Sequence, residues 1–324
     1  MHDLSWRPGA AAARDHRARL NAGLRAFFSD QGVLEVETPL LSAGAPQDPA
    51  IESWRACAPD GVSGYLQTSP EYPMKRLLAD GSGDIYQMAR VFRGGEQGHR
   101  HNPEFTLLEW YRLGYDHHRL MDELVGLVHT VAALDPRWHR PGGGVRRLPY
   151  CDLFREALDL DPLSCTTDDC AAAAADAGLD LTGRLDRDAW LDALMSLVLA
   201  PRFPSDRLTL VFDYPESQAV LARPSEASPG CASRFELYWG DLELANGFHE
   251  LTDPAIFLAR RKQDRERRAR EGQALPDIDA FFAAAMTSGL PDCAGVALGV
   301  DRLLMCLLGT RDIATVIDFP WGRA

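Results

Sequence analysis

Ile85–Phe92, IYQMARVF, is dense in β-branched and aromatic residues and reads as a strand. Residues 93–102 break that pattern with glycine and charge, which makes a loop. Residues 105–112 alternate again, as a second strand. A period of two puts Phe105, Leu107, Glu109 and Tyr111 on one face. An aromatic plane, a carboxylate and a phenol in a row suit stacking on a base at one end and grasping an amine at the other. Arg93, where the loop begins, is placed to reach a phosphate.

Other segments follow the same logic. Leu20, Leu24, Phe27 and Phe28 fall at helical spacing within 10–30, and Gly32 follows the end. Residues 33–36 are a short strand stopped at Pro39, and 42–64 is loop with weak strand. Ser69 is an N-cap with Pro70 at the first helical position, leaving Glu71 in the first turn. Residues 114–133 form a helix. A helical insertion spans about 148–200, with helices at 151–158, 167–177 and 188–199, and 208–212 is a buried strand. Trp239-Gly240 is read as a two-residue turn, pairing Glu236 with Glu243. Two carboxylates directly opposite repel, which invites a cation. A bulge at Asn246-Gly247 would leave the face of Glu250 open. Residues 260–270 form a charged helix with Asp264–Arg268 and Glu266–Arg270 pairs, or a basic ridge for an acidic partner. A Gly-punctuated strand at 295–300 leads into an apolar helix carrying Arg302 and closed by Gly309. Gly299 permits close backbone approach to a ligand.

Composition narrows the classes. The 324 residues are 46% apolar and 25% charged, and no apolar run approaches the ~18 residues of a membrane span. The start carries no uninterrupted apolar stretch, so no leader and no membrane are expected. Seven cysteines without a CxxC pair suit reduced thiols in a cytoplasm. A net charge of −13 does not favour a long polyanion, so tRNA is not the expected main partner.

Three stretches carry a family resemblance. VFR…HNPEFTLLEWY resembles motif 2 of the class II aminoacyl-tRNA synthetases in their lysyl branch. FFSDQGVLEVETPLL resembles motif 1, and GVALGVDRLLMCLLG resembles motif 3. Within that branch the chain is most similar to the ligases that acylate elongation factor P and lack an anticodon-binding domain. The resemblance implies an α+β fold, an antiparallel sheet flanked by helices, as a single catalytic domain over 1–324. It implies a homodimer formed through the first helix and strand. The reaction implied joins ATP, with Mg²⁺, to (R)-β-lysine or lysine as an adenylate. A lysine of elongation factor P then takes the acyl group. A truncated lysyl-tRNA synthetase and an inactive paralogue with a binding role are the alternatives. The stretch before motif 1 has no room for an anticodon domain of about a hundred residues.

The same resemblance assigns roles. Arg93 and Arg302 are catalytic and bind ATP, with Phe105 under adenine. Gly94, Gly95, Glu96, His101 and Asn102 line the nucleotide end, together with Leu244 and Gly299. Glu236 and Glu243 hold Mg²⁺, and Glu243 also contacts ATP. TSPE supplies Ser69, Pro70 and Glu71 to the amino acid, where Glu109, Tyr111, Asn246 and Glu250 join them. Ala297 stands where the lysyl synthetases carry glycine, and its methyl group would reshape the pocket floor. One departure is clear: Gly95 replaces the glutamate of the usual Arg-x-Glu, and Glu96 comes one residue late. Either Glu96 swings in or the Gly95 backbone meets adenine.

Overall fold

The computed structural model describes residues 9–181 and 185–324. The first eight residues, where the absence of a leader was read, and 182–184 of the insertion lie outside the described residues. In chain order come α1 (Arg14–Asp30), β1 (Leu34–Glu35), β2 (Leu41–Ser42), β3 (Arg55–Cys57), β4 (Ser63–Leu66) and α2 (Glu71–Ala79). The hairpin β5 (Ile85–Phe92) and β6 (Glu104–Leu113) leads to α3 (His117–Ala132) and β7 (Arg146–Pro149). The insertion supplies α4 (Tyr150–Leu158), α5 (Thr167–Asp176) and α6 (Arg187–Leu194). The rest is β8 (Leu208–Pro215), β9 (Cys231–Trp239), β10 (Leu242–His249), α7 (Pro254–Arg270), α8 (Ala280–Ser288), β11 (Cys293–Gly299) and α9 (Val300–Leu308).

The main sheet runs β1-β5-β6-β11-β10-β9-β8-β7. Its interior pairs are antiparallel, and its two edges, β1 on β5 and β7 on β8, are parallel. A small β2-β4-β3 sheet lies apart. Neither that sheet nor α8 was legible as such.

One face of the main sheet carries the core. Leu108, Trp110, Val296, Leu298 and Leu237 pack there under α1, α3 and α9. Leu20, Leu24 and Phe28 of α1 are fully buried in it, with Phe28 stacked on Tyr86 at 4.5 Å. The helical stripe of α1 thus faces inward. Caps fix the entries: Asp116 accepts from the Arg119 amide at 2.7 Å, and Thr166 with Asp169 closes a capping box on α5. Gly309 ends α9 at φ +67, as the sequence indicates.

Two local readings are corrected. First, Trp239 pairs with Leu242, so the turn is Gly240-Asp241, with Gly240 at φ +59. Glu243 faces Tyr238 across the ladder, and Glu236 faces Asn246, not Glu243. The bulge lies between Glu243 and Ala245, ahead of the Asn246-Gly247 position. Second, neither expected ion pair forms in α7. Its pairs are Lys262–Glu266 at 3.8 Å and Arg267–Glu271 at 2.9 Å. Arg268 is buried and donates to the carbonyls of Gln47, Asp48, Ile51 and Ala274. Arg267 also meets Asp186 at 3.1 Å. These two arginines staple α7 to the loop at 47–51 and to the insertion, and form no free basic ridge.

Candidate active site

The second face of the sheet is the floor of a cavity of about 530 Å³. The period-two reading of β6 holds: Phe105, Leu107, Glu109 and Tyr111 all line it. On β11 the floor is Gly295, Ala297 and Gly299, paired in register with Tyr111, Glu109 and Leu107. Asn246 flanks Ala297 from the other side. A row of small residues between rows of large polar ones keeps the centre open. Beyond the bulge the alternation resumes, so Asn246, Phe248 and Glu250 all reach the cavity, as Glu243 does before it.

One end is acidic. Glu71, Glu109 and Glu250 converge there, and Lys75 reaches Glu71 and Glu250 at 2.6 Å each. Lys75 is 1% exposed. Burial disfavours its charge, but Glu250 and Glu71 outweigh burial and raise its pKa, so it stays an ammonium. The Ser69 hydroxyl accepts from the Glu71 amide at 3.0 Å and donates to Glu109 at 2.7 Å. The Tyr111 hydroxyl donates to the other Glu109 oxygen at 2.6 Å. Burial, then the charge of Glu71, pushes Glu109 up to about 7 in spite of those two donors. Pro70 does not line the cavity; its carbonyl accepts the Met74 amide as the helix starts.

The other end is basic and aromatic. Arg93 lies 5.2 Å over the Phe105 ring and 3.7 Å from Glu96. Arg302 donates to the Glu243 carbonyl at 2.9 Å and to His101 Nε2 at 2.7 Å. Burial, then Arg302, lowers the His101 pKa, which leaves the imidazole neutral and able to accept that bond. Asn102 lines this end, but its amide holds Glu104 O at 2.6 Å and the Trp321 amide at 2.8 Å, so it fixes the loop. Leu244 and Gly299 line the cavity as expected, whereas Gly94 and Gly95 do not. Gly95 sits at φ +74, a backbone demand that favours glycine. Glu96, one residue on, does reach the wall.

Between the two ends stands Glu236, 8% exposed. It accepts from Tyr214 at 2.6 Å, Tyr238 at 2.5 Å and Arg234 at 2.7 Å. Arg234 also reaches Asn246 Oδ1 at 3.3 Å. The sequence reading missed Lys75, Arg234 and these tyrosines. Lys75 carried a usable signal, as one of two lysines in the chain and four residues after Glu71. It also missed Asp301, which is buried, pairs with Arg17 and holds the Thr106 amide at 2.7 Å beside Phe105.

A sheet whose floor carries carboxylates at one end and two arginines with a phenylalanine at the other is suited to forming an adenylate. The chain belongs to the class II tRNA synthetase family (D, K and N), which it matches over residues 2–323. It is 45% identical to the elongation factor P–(R)-β-lysine ligase of Yersinia enterocolitica, over 99% of this chain and 98% of that protein. It is 42% identical to the Vibrio cholerae protein of the same name over the full length of both, and 42% identical to that of Salmonella typhimurium over 99% and 98%.

Proposed function

We propose that the chain is an ATP-dependent, AMP-forming ligase. It activates (R)-β-lysine, or lysine, as an aminoacyl adenylate and passes the acyl group to the ε-amino group of a lysine on elongation factor P. The acidic end carries the reading. Three carboxylates, Glu71, Glu109 and Glu250, stand against the one ammonium of Lys75. Burial raises the pKa of Glu109 and Glu250, and the two ammonium groups of a diamino acid would supply the positive charge that holds these carboxylates ionised. The preference for the β-amino acid rests on the names of the relatives and on the Ala297 methyl at the floor. Arg93 and Arg302 hold the ATP phosphates and adenine over Phe105, where attack of a carboxylate on the α-phosphorus needs positioning and charge neutralisation.

The residues fit a Mg²⁺ ion in part. No three carboxylate, His or Cys side chains are grouped so as to hold a metal ion by themselves among the described residues. Glu243, 41% exposed at its side chain, has Arg302 as a distant partner at 3.5 Å. Partial burial, then the charge of Glu236, raises its pKa. Glu236 accepts three donors and has one lone pair left. We assign Mg²⁺ to Glu243, with Glu236 secondary and ATP phosphates and water completing the shell; the ion would neutralise phosphate charge.

We propose a protein acceptor over tRNA, in keeping with the net charge of −13. Leu34 of the edge strand β1, 55% exposed, supports a homodimer formed through the first helix and strand. No helix among the described residues is long and apolar enough to cross a membrane. The seven cysteines are free thiols, which suits the cytoplasm.

ATP–pyrophosphate exchange with α-lysine, (R)-β-lysine and no amino acid tests the reading, followed by transfer to elongation factor P and to tRNA. Exchange driven most by (R)-β-lysine, with acylation of the protein, is the expected result. No exchange with either amino acid would overturn it.

A further inference from the structure

The walls described so far serve ATP and the amino acid. A further lobe of lining residues has been assigned to neither. It is lined by Asp192 of α6, by Gln218, Val220 and Leu221 after β8, and by Phe257 and Arg260 of α7. The reaction proposed above has a third reactant, the acceptor lysine. Its four-carbon stem needs apolar walls, and its ammonium must lose a proton before the nitrogen can attack. Val220, Leu221 and Phe257 provide the walls. We propose that this lobe admits the acceptor lysine and that Asp192 is the general base that takes a proton from its ammonium; the proposal rests on the acceptor being a lysine amine.

Four observations support this. Asp192 joins the lobe to the reaction centre through consecutive hydrogen bonds. Gln218 Nε2 donates to Asp192 Oδ1 at 2.8 Å, Arg234 donates to the Gln218 carbonyl at 2.7 Å, and Arg234 also holds Glu236 and Asn246. Second, Gln218 is 7% exposed, lines the cavity, and its Oε1 has no donor. A buried acceptor without a donor is costly unless a ligand completes it, and an ammonium would do so. Third, Val220 adopts φ +50, a strained conformation for a β-branched residue. Arg260 pins that turn through the carbonyls of Val220 at 3.3 Å and Ala222 at 2.5 Å. Strain held in place this way clusters at ligand clamps.

Fourth, Asp192 is poised to exchange a proton near neutral pH. The residue is exposed to the open cavity, and desolvation by the surrounding wall raises its carboxyl to about 6, with Arg234 of β9 and Arg267 of α7 opposing that and Glu236 of β9 and Asp188 of its own helix adding to it. Tyr150 of α4 feels the Asp192 charge from behind. The neighbouring carboxylates are less suited. Asp188 accepts the Ser217 hydroxyl at 2.8 Å. Desolvation also raises Asp264 to about 6, but its charge partners are Asp48 and the arginines of its own helix, and among the described residues no hydrogen bond of its side chain leads to Gln218 or Arg234.

In the step itself the acceptor ammonium gives one proton to Asp192. Its nitrogen then attacks the acyl carbon of the adenylate. The C–N bond forms as the acyl C–O bond breaks, and AMP leaves with that electron pair. The second proton on nitrogen passes to solvent.

The test compares acyl transfer to elongation factor P with ATP–pyrophosphate exchange in the full chain. Asp192→Asn keeps an acceptor for Gln218 but cannot take the proton. Transfer is expected to fall about a hundredfold further than exchange does. The wild-type rise of transfer rate near pH 6 should vanish in the variant, and Asp192→Glu should recover part of the rate. Hydroxylamine, uncharged near neutral pH, needs no base, so its discharge of the adenylate should track exchange in the Asn variant. Transfer at the wild-type rate would overturn the proposal. So would a loss of transfer matched by equal losses of exchange and hydroxylamine discharge, since that is damage to the fold. Wild-type enzyme that exchanges but acylates no protein lysine would overturn the acceptor reading and this inference together.

Discussion

Gly295→Ala should separate the two ends of the site. Gly295 lies in β11 between Tyr111 and Phe248, hydrogen-bonded on both sides. A Cβ there would stand 2.5 Å from Tyr111 Cδ1 and closer still to Glu250 Oε1. Ordinary carbon contacts are roughly 3.5–4.0 Å, so about an ångström must be found. The strand cannot retreat, because neighbours hold both its edges. Tyr111 and Glu250 are 2% and 1% exposed, and moving them breaks the Tyr111–Glu109 or the Lys75–Glu250 bond. Overpacking costs about 1–3 kcal/mol. A lost hydrogen bond to a charged group adds about 1.5–3 kcal/mol. The sum, about 2.5–6 kcal/mol, lowers Tm by roughly 5–12 °C at about 2 °C per kcal/mol for a chain of this size. The damage is local. Gly299, at the nucleotide end, is four residues along the strand, about 13 Å away. In ATP–pyrophosphate exchange the KM for the amino acid should rise at least about tenfold while that for ATP stays within about twofold. If both KM values rose together, or neither they nor Tm changed, the assignment of the two ends would be wrong.

Other changes probe single contacts. Glu109 ionises only above about 7, and its protonated form balances no ammonium. The kcat/KM for the amino acid should therefore fall as pH drops through about 7. Ser69→Ala removes a donor to the ionised form and should move that limb upward; a limb below pH 5 in the wild type would contradict this. Arg268→Met strands four carbonyl acceptors and should cost about 3–4 kcal/mol in urea unfolding. Arg270→Met at the exposed end of the same helix should stay within about 0.5 kcal/mol. Gly95→Glu forces a side chain onto φ +74 and should lose about 1–2 kcal/mol without changing the ATP KM. Glu96→Ala should raise that KM, and a lower ATP KM in Gly95→Glu would reverse the assignment.

How far the sequence could be read depended on where each residue finds its partners. On β6 the alternation is uninterrupted, so parity alone placed four side chains over the cavity. On β9 and β10 parity was misapplied, because the positive φ that the turn requires lies on Gly240 as its first residue, not its second. Glu236 and Glu243 still share the cavity face. A one-residue shift of the turn exchanges cross-strand partners, and the bulge before Ala245 then returns Asn246 to the side that Glu243 occupies. The charged residues were harder. A helical rule at four-residue spacing finds Lys75 beside Glu71, but it cannot find Glu250, which arrives from the end of β10. The same rule paired Arg268 within α7, whereas its acceptors are carbonyls more than two hundred residues earlier and one just beyond the helix. Apolar periodicity reports which face of an element is buried. A buried charge, by contrast, must be matched by whatever acceptor the fold brings to it, and its desolvation cost makes that match obligatory. The pairings that poise the acidic end are therefore set by tertiary structure, even though each carboxylate in them was legible one at a time.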